Sequence, residues 1–320
     1  MILRLGQVEL FVTDLNRSKE FYVDVLGFTE VERTKNSLYL KATEDFDKYT
    51  MVLTEKPYAA LGSFSLRVSS PEYLEELKKK HEEAGIATEY LEESPHPGKG
   101  AVLRVAEPNG HPVEFYHSME QVDVSKPGGG VKALPMRYTH LQNGIPPIRI
   151  DHMNLRVPNV DKALEYWHDF LGLSISEYVQ GNDGSKFAAW TRAKTSTHDV
   201  ALVKHKETAL HHVAYTVDGV AGVVRAADLL ADAGYRHSIN YGPGRHGVSN
   251  AFFLYVRDPD GHRIEIYAND YRRDLDLEPI GWTEDDYENY GRLWWGPNVP
   301  DSFFETTPVN PEWVKTPVKN

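Results

Sequence analysis

The chain of 320 residues contains no cysteine, so neither disulfide bonds nor thiolate metal ligands are available to it. Positive charge is scarce, because 35 lysines and arginines stand against 47 aspartates and glutamates, for a formal net charge of −12. This balance argues against nucleic acid or an anionic membrane surface as a partner. No apolar run approaches the roughly 20 residues of a membrane-spanning helix, and the start MILRLGQVEL is too short and strand-like for a signal peptide. We therefore expect a cytoplasmic enzyme.

What the chain does contain is an internal duplication. The segment LGQVELFVTDLNRSKEFYVDVLGF (5–28) aligns without gaps with IDHMNLRVPNVDKALEYWHDFLGL (150–173). Further along, SFSLRV (63–68) aligns with HVAYTV (212–217), and EPNGHPVEFY (107–116) with DPDGHRIEIY (258–267). Each half holds two sub-repeats, and each sub-repeat opens with an alternating strand followed by an amphipathic helix.

This pattern is βαβββ taken four times, and it predicts an α+β fold of two duplicated domains, each with a curled mixed sheet around a pocket. We expect an N-terminal domain at 1–118 and a C-terminal domain at 149–268. Residues 119–148, with KPGGG and GIPP, are predicted to be a linker. Residues 269–320 form a tail rich in tryptophan, proline and acids, which we expect to pack over the second domain.

The helices of the four modules follow from apolar residues at helical spacing. Gly27 and Gly172 are expected to end the first helix of each half. The second helices are expected at 71–84 and at about 219–233.

A carboxylate lies at the centre of the last strand of each half. Glu265 stands between Ile264 and Ile266 in an alternating run, and it corresponds to Glu114 in the first half. Such a residue is either solvated on an exposed face or buried beside a compensating charge, of which a metal cation is the commonest large one. This stretch alone leaves the two interpretations about even.

The duplication supplies an internal comparison that favours the metal. His152 corresponds to Gln7 and His212 to Ser63, so the second half has His, His and Glu at homologous strand positions. Two imidazoles and one carboxylate make the facial triad of non-haem Fe(II) oxygenases, which leaves coordination positions open for substrate and dioxygen. A single strand histidine is more often a core residue than a ligand, but the triad with Glu265 makes the metal the better interpretation.

Other polar residues gather in the second half only. His211 adjoins His212 but is expected to point the opposite way in a strand, which makes it a weaker candidate. His246, taken singly, is most simply a loop residue, and Tyr255 a core aromatic with a solvated hydroxyl. Together with the triad, His198, His246, Tyr255 and Asn154 have the character of proton carriers around a metal.

The repeat, together with DHMNLRV, LHHVAYTV, GPGRHGVSNAFFLYVRDPDGHRIEIY and WWGPNVP, resembles the extradiol ring-cleaving catechol dioxygenases of the vicinal oxygen chelate superfamily. The resemblance covers nearly the whole chain and is strongest to the homoprotocatechuate (3,4-dihydroxyphenylacetate) 2,3-dioxygenase branch, with catechol 2,3-dioxygenases as near relatives. It implies His152, His212 and Glu265 as ligands of Fe(II), or alternatively Mn(II), with no organic cofactor. It also implies a metal-free first half.

The resemblance implies roles for the surrounding residues as well. His198 matches the acid–base histidine of the family, with His246 and Tyr255 as further catalytic residues. Asn154 and Trp190 match pocket residues. The implied reaction is cleavage of 3,4-dihydroxyphenylacetate by dioxygen to 5-carboxymethyl-2-hydroxymuconate semialdehyde, and the implied assembly is a homo-oligomer, usually a tetramer.

The chain departs from this branch where the branch carries arginines for the substrate carboxylate. Tyr241 replaces the arginine before GPGRH, and of two arginines before WW only Arg292 remains. Both residues are therefore candidate substrate contacts, with Arg245 and Arg192 as further possible cations. The alternative substrate is catechol or an alkyl- or arylcatechol.

Two other classes share this plan. A non-catalytic small-ligand-binding protein is expected to lack the triad in both halves, and an isomerase or lyase is expected to place its ligands across both halves. Dioxygen consumption and a yellow product on addition of a catechol separate the three classes.

Overall fold

The computed structural model describes residues 1–121, 144–274 and 276–314. Each half of the chain folds as two βαβββ modules, so the predicted α+β plan of four modules is confirmed. Most of the linker predicted at 119–148 lies outside the described residues. Among the described helices, none is long and apolar enough to cross a membrane.

The first half forms an eight-stranded mixed sheet. Its elements are β1 (Ile2–Val12), α1 (Leu15–Lys19), β2 (Thr29–Arg33), β3 (Ser37–Lys41), β4 (Met51–Glu55), β5 (Ala60–Val68), α2 (Pro71–Glu83), β6 (Thr88–Leu91), β7 (Val102–Ala106) and β8 (Pro112–Tyr116). The strand order is β2-β3-β4-β1-β5-β8-β7-β6. The opening strands of the two modules, β1 and β5, pair antiparallel at the centre of the sheet.

The second half repeats this order and extends it. Its elements are β9 (Arg149–Val157), α3 (Val160–Leu164), β10 (Ser174–Gln180), β11 (Lys186–Arg192), β12 (Val200–Lys204), β13 (Ala209–Thr216), α4 (Gly219–Asp232), β14 (Ile239–Arg245), β15 (Phe252–Arg257), β16 (Arg263–Ala268), β17 (Ile280–Thr283), α5 (Glu284–Asp286) and β18 (Thr307–Pro308). The strand order is β14-β15-β16-β13-β9-β12-β11-β10-β17, and β18 pairs with β13.

The tail therefore belongs to the second sheet. Strand β17 pairs parallel with β10, and β18 pairs antiparallel with β13. The sequence predicted that the tail packs over this half, but its lack of a repeat partner gave no sign of added strands.

The registers of the central strands match between the halves. Asn154 lies opposite His212 in the β9–β13 pair, just as Glu9 lies opposite Ser63 in the β1–β5 pair. The equivalence of His212 and Ser63 that the sequence repeat predicted is thus a structural one.

The first helix of each half changes from α-helical to π-helical along its length. Both α1 and α3 continue into π-helical turns, at Glu20–Val25 and Glu165–Phe170. Gly27 and Gly172 follow with φ of 87° and 81°, a left-handed conformation that favours glycine, so both predicted ends are confirmed. The second helices, α2 and α4, end within one residue of their predicted limits.

A single apolar core runs through both halves. The ring of Phe28 packs edge-on against Tyr215 with centroids 4.8 Å apart, and Phe64 stacks on Trp167 at 6.0 Å. The polar cluster that the sequence predicted lies away from this core, around β9, β13 and β16, three neighbouring strands of the second sheet.

Candidate active site

Three neighbouring strands bring the predicted ligands together. His152 on β9, His212 on β13 and Glu265 on β16 are buried, and their ligand atoms all lie within 4.8 Å of one another. The Nε2 atom of each imidazole lies 3.0 Å from Glu265 Oε2. This is the arrangement expected of a site for one divalent metal ion with nitrogen and oxygen ligands.

The hydrogen bonds behind His212 fix its tautomer. His211 donates from Nε2 to the carbonyl oxygen of Phe303 at 2.7 Å, and its Nδ1 lies 2.7 Å from Nδ1 of His212. Burial holds the pKa of His211 well below its usual range, so its ring is neutral and its Nδ1 must accept a hydrogen bond from Nδ1–H of His212. His212 therefore carries its hydrogen on Nδ1, and its Nε2 presents a lone pair to the cluster.

The second histidine is oriented by a carboxylate. His152 donates from Nδ1 to Asp151 Oδ2 at 2.9 Å. Burial opposes protonation of this ring, but the hydrogen bonds to Asp151 and Glu265 outweigh it and raise the pKa of His152 to about 9. A histidine whose rear nitrogen donates to a carboxylate is the common arrangement for a metal ligand.

The donor set fits a non-haem divalent metal. Burial alone would raise the pKa of Glu265, yet the neighbouring His212 and His152 hold the pKa of this carboxyl well below its usual range, so it is an anion. Within the described residues, His212 Nε2 is buried and accepts no hydrogen bond, although it lies close to the carboxylate. A cation between these three groups would satisfy that lone pair and compensate the carboxylate.

His198 lies beside the cluster. Its ring centroid is 3.8 Å from that of His152, and its Nδ1 lies 2.9 Å from Thr197 Oγ1. Burial, and then the neighbouring His152, hold the pKa of His198 well below its usual range, so the ring is neutral. A neutral imidazole at the edge of a cavity is able to accept a proton.

His246 and Tyr255 form a hydrogen-bonded pair. His246 donates from Nδ1 to the carbonyl oxygen of Arg292, so its Nε2 accepts from the Tyr255 hydroxyl at 3.0 Å. Burial lowers the pKa of His246 and raises that of Tyr255 well above its usual range. The pair keeps a neutral imidazole and a protonated phenol next to Glu265, 4.0 Å from His246 Nε2.

A cavity opens beside the cluster, and all but one of the residues predicted for the site line it. They are His152, Asn154, Trp190, His198, His212, His246, Tyr255, Glu265 and Arg292. Asn154 has a buried side-chain oxygen without a hydrogen-bond partner in the described part of the chain. An unpartnered amide in the wall of a cavity is a ready contact for a ligand.

Tyr241 is the exception. It stacks behind Tyr255 with centroids 6.0 Å apart and is not among the described residues that line the cavity. The other two cations considered from the sequence, Arg192 and Arg245, do not line it either. Arg192 is fully buried and donates to backbone carbonyls, and Arg245 donates to the carbonyl of Asn250.

The expectation that His211 points away from His212 is wrong. The β9–β13 register advances two residues on β13, from Leu210 to His212, against one on β9, so His211 is the extra residue of a β-bulge. Strict alternation fails at a bulge, and both histidines line the cavity.

Three of the lining residues that sequence reasoning missed carry aromatic rings or charge. Tyr287 and Phe303 come from the tail, whose path over the cavity no repeat could indicate. Arg156 lies on β9, and the alternation that placed Asn154 beside His152 would have placed it on the same face.

The equivalent position in the first half is compensated differently. Glu114 is buried and pairs with Lys99 Nζ at 2.7 Å and Arg104 Nε at 2.9 Å. Gln7, which replaces a histidine, has both side-chain polar atoms buried without partners in the described chain. In the first half an ammonium group thus neutralises Glu114, whereas its counterpart in the second half, Glu265, faces two histidines.

Comparison with known proteins agrees with this fold. A family profile, the Glyoxalase/Bleomycin resistance protein/Dioxygenase superfamily, matches residues 4–115 and 149–266. The chain is 33% identical over 306 residues to a manganese-dependent 2,3-dihydroxybiphenyl 1,2-dioxygenase of Geobacillus genomosp. 3, covering 93% of this chain and 95% of that protein. It is 30% identical over 322 residues to a metapyrocatechase of Geobacillus stearothermophilus, covering 99% and 97%.

A solved structure is similar over nearly the same length. The crystal structure of homoprotocatechuate 2,3-dioxygenase from Arthrobacter globiformis matches with a TM-score of 0.88 at 38% identity, covering 97% of this chain and 92% of that chain. Fold and site together define a duplicated βαβββ protein that has, within its described residues, one His, His and Glu cluster. The chain belongs to the Glyoxalase/Bleomycin resistance protein/Dioxygenase superfamily and, within it, to the extradiol ring-cleaving dioxygenases.

Proposed function

We propose that the protein cleaves the ring of 3,4-dihydroxyphenylacetate with dioxygen, giving 5-carboxymethyl-2-hydroxymuconate semialdehyde. The observation that carries this proposal is the half-to-half asymmetry: only the second half combines a His, His and Glu cluster with a neutral histidine and a His–Tyr pair around one cavity. Substrate supplies all the electrons for this reaction, so no external reductant is required.

The metal in this proposal is Fe(II), with Mn(II) as the alternative. His152, His212 and Glu265 would hold it. Bound there, either ion supplies a template that orients the catechol and dioxygen and acts as a Lewis acid on the substrate oxygens. The named manganese-dependent relative keeps Mn(II) in consideration.

The remaining residues handle protons. The Tyr255 hydroxyl is hydrogen-bonded to His246, which lies beside Glu265, and in this proposal it would contact a substrate oxygen. His198, neutral and buried, is placed to take a proton and return it during ring opening, a role worth roughly 10²–10⁴-fold in rate. The unpartnered side chain of Asn154 and the ring of Trp190 complete the wall beside His152.

A catechol panel tests the substrate. With Fe(II) or Mn(II) added in parallel, we expect dioxygen uptake and a yellow product, fastest with 3,4-dihydroxyphenylacetate and appreciable with catechol and 4-methylcatechol. A wild-type preference for plain catechol would transfer the function to a catechol 2,3-dioxygenase. Binding without dioxygen uptake would identify a ligand-binding protein on the same scaffold.

Metal analysis tests the site. Glu265→Gln removes the anionic ligand, so we expect loss of tight metal binding and of turnover, measured by elemental analysis after dialysis. The matched controls are Gln7→Ala and Glu114→Gln in the first half, which should keep one metal per chain. Full metal occupancy with normal turnover in Glu265→Gln, or loss of metal in either control, would show that the metal binds at another site.

We also propose a homo-oligomer, because several large side chains of the tail are exposed, namely Tyr290, Trp294, Trp295 and Phe304. Light scattering on the purified chain is the direct measurement. A monomer at micromolar concentration would contradict this part of the proposal.

A further inference from the structure

An arginine without a partner lies in the cavity wall. Arg156 stands on β9, two residues beyond Asn154 and four beyond His152, so the three side chains share one face of the strand. It lines the cavity and is only 8% exposed. Among the described residues it makes no hydrogen bond, ion pair or cation–π contact, and its Nε is buried without an acceptor.

The neighbouring arginines, unlike Arg156, have hydrogen-bond or ion-pair partners. Arg263 is also buried, but it donates to four oxygen atoms and is thereby fixed in the fold. Arg292 lines the same cavity, yet it pairs with the carboxylate of Glu288 and packs over the Tyr287 ring. Of the two arginines that line the cavity, Arg156 is therefore the one whose charge the described chain leaves uncompensated.

The charges around Arg156 do not compensate it. Burial lowers the pKa of Arg156 to about 10, the hydroxyls of Tyr287 and Tyr255 raise it, and the cation of Arg292 lowers it further. The group stays protonated at neutral pH. A buried cation without a counter-ion is destabilising unless something outside the fold supplies the anion.

The position of Arg156 suits an anion at the far end of a bound catechol. Four strand positions separate its Cα from that of His152 by about 13 Å, so the two residues line the cavity from well-separated points of the strand. A guanidinium binds a carboxylate through two parallel hydrogen bonds, which fixes orientation as well as affinity. Tyr241, which does not line the cavity, offers no charge there.

We propose that Arg156 binds the carboxylate of an acidic catechol and so determines which catechols the enzyme prefers. The inference rests on the proposed function, since it assumes that the diol end of the substrate lies at His152, His212 and Glu265. Arg292, already paired, acts as a weaker second cation at the same end of the cavity.

The test compares an acidic with a neutral catechol in Arg156→Met. This variant removes the charge and keeps the length of the side chain. The ratio of kcat/KM for 3,4-dihydroxyphenylacetate to kcat/KM for 4-methylcatechol is expected to fall about 10- to 100-fold. The ratio should be partly restored in Arg156→Lys, and it should fall less in Arg292→Met, the matched control. Equal losses on both substrates in Arg156→Met would overturn the proposal.

A second measurement tests the role of Arg156 in substrate binding independently of ring cleavage. In calorimetric titrations without dioxygen, metal-loaded Arg156→Met should bind 3,4-dihydroxyphenylacetate about 10- to 100-fold more weakly than wild type, with a much smaller change for 4-methylcatechol. Thermal stability should not fall, since the variant removes an uncompensated buried charge. If wild type cleaves neither catechol, the proposed reaction fails, and the titrations still decide on Arg156: equal affinities in wild type and variant would overturn its role.

Discussion

At the scale of single residues, the two histidines of the candidate metal site are oriented by different neighbours. His152 donates to a carboxylate, whereas His212 donates to the neutral ring of His211, which itself donates to the Phe303 carbonyl. Because Phe303 belongs to the tail, the chain of hydrogen bonds connects the tail to a candidate metal ligand. In the proposed site His211 is thus a positioning residue that contacts the ligand and not the metal.

We expect His211→Phe to weaken metal binding about 10- to 100-fold, the usual effect of losing the partner behind a ligand. His212 would lose the acceptor for its Nδ1 hydrogen, and both the tautomer and the ring orientation would be free to change. Competition with a chromophoric chelator measures the affinity. His211→Asn, which keeps an acceptor oxygen near the same place, should lose less. Wild-type affinity in His211→Phe would show that packing alone orients His212.

Replacing His198 is expected to distinguish metal binding from proton transfer. His198→Phe should keep the metal and still bind a catechol, while ring cleavage slows roughly 10²–10⁴-fold or diverts towards a quinone. The reason is that His198 lies against His152 without joining the ligand atoms. Elemental analysis and product spectra of the same preparation give both readouts. A variant that loses its metal would make His198 a ligand.

At the scale of elements, the sequence repeat predicted which strand positions carry most of the candidate site residues. Period-two alternation placed Asn154 beside His152, and the half-to-half comparison singled out His152, His212 and Glu265. The bulge at His211 could not be predicted from the sequence, because a bulge adds one residue to a strand without requiring a particular residue type. The first half has the same interruption, between Leu61 and Ser63, so it belongs to the module and not to the metal site.

The strand-centre carboxylates show how one element serves two purposes. In the second half Glu265 faces two imidazoles, and in the first half Glu114 faces the buried ammonium of Lys99. Burial alone would raise the pKa of Glu114, but Lys99 and then Arg104 lower it to about 2. A pKa depressed by folding stabilises the protein above the ordinary value of the carboxyl, and this contribution disappears as pH falls towards 2.

Lys99→Met should therefore lower the free energy of unfolding by about 3 kcal/mol at neutral pH, because Glu114 would keep Arg104 as its one charged partner beside the hydroxyl of Ser65 within the described residues. Urea titration gives this value, and a pH series should show the variant losing less stability than wild type on acidification. Lys79→Met is the matched control, since its exposed pair with Glu83 is worth well under 1 kcal/mol. Similar losses in both variants would mean that Lys99 acts only as a surface charge.

At the scale of the whole molecule, duplication predicts two similar halves but not how they pack. The polar contacts between them join residues that no repeat relates. Leu5 N donates to Asp199 Oδ1 at 2.8 Å, and the Tyr22 hydroxyl donates to Asp258 Oδ2 at 2.9 Å. Asp199 follows His198, so one of these contacts adjoins the cavity. Such pairings depend on the final geometry of two sheets, which local sequence patterns do not encode.

The contact between Tyr22 and Asp258 is a direct test of how far the halves stabilise each other. Asp258 is buried, and burial raises the pKa of its carboxyl. The hydroxyl of Tyr22 is one of the few groups that donate a hydrogen bond to this carboxyl. We expect Tyr22→Phe to lower the free energy of unfolding by about 1.5–3 kcal/mol, the usual value for a hydrogen bond to a charged group. Tyr58→Phe is the control, since the Tyr58 hydroxyl makes no hydrogen bond within the described residues.

The distribution of tryptophan allows the two halves to be followed separately in this experiment. All 6 tryptophans lie after residue 148, so their fluorescence reports on the second half, on the tail and on two contacts with the first half, those of Trp167 with Phe64 and of Trp313 with the Val105 carbonyl. Circular dichroism reports on both halves. If the halves form one cooperative unit, the two signals share one urea midpoint, and Tyr22→Phe, a change in the first half, moves both midpoints equally. A fluorescence midpoint that stays in place while the dichroism signal shifts would show that the second half, with its candidate metal site, folds independently of the first.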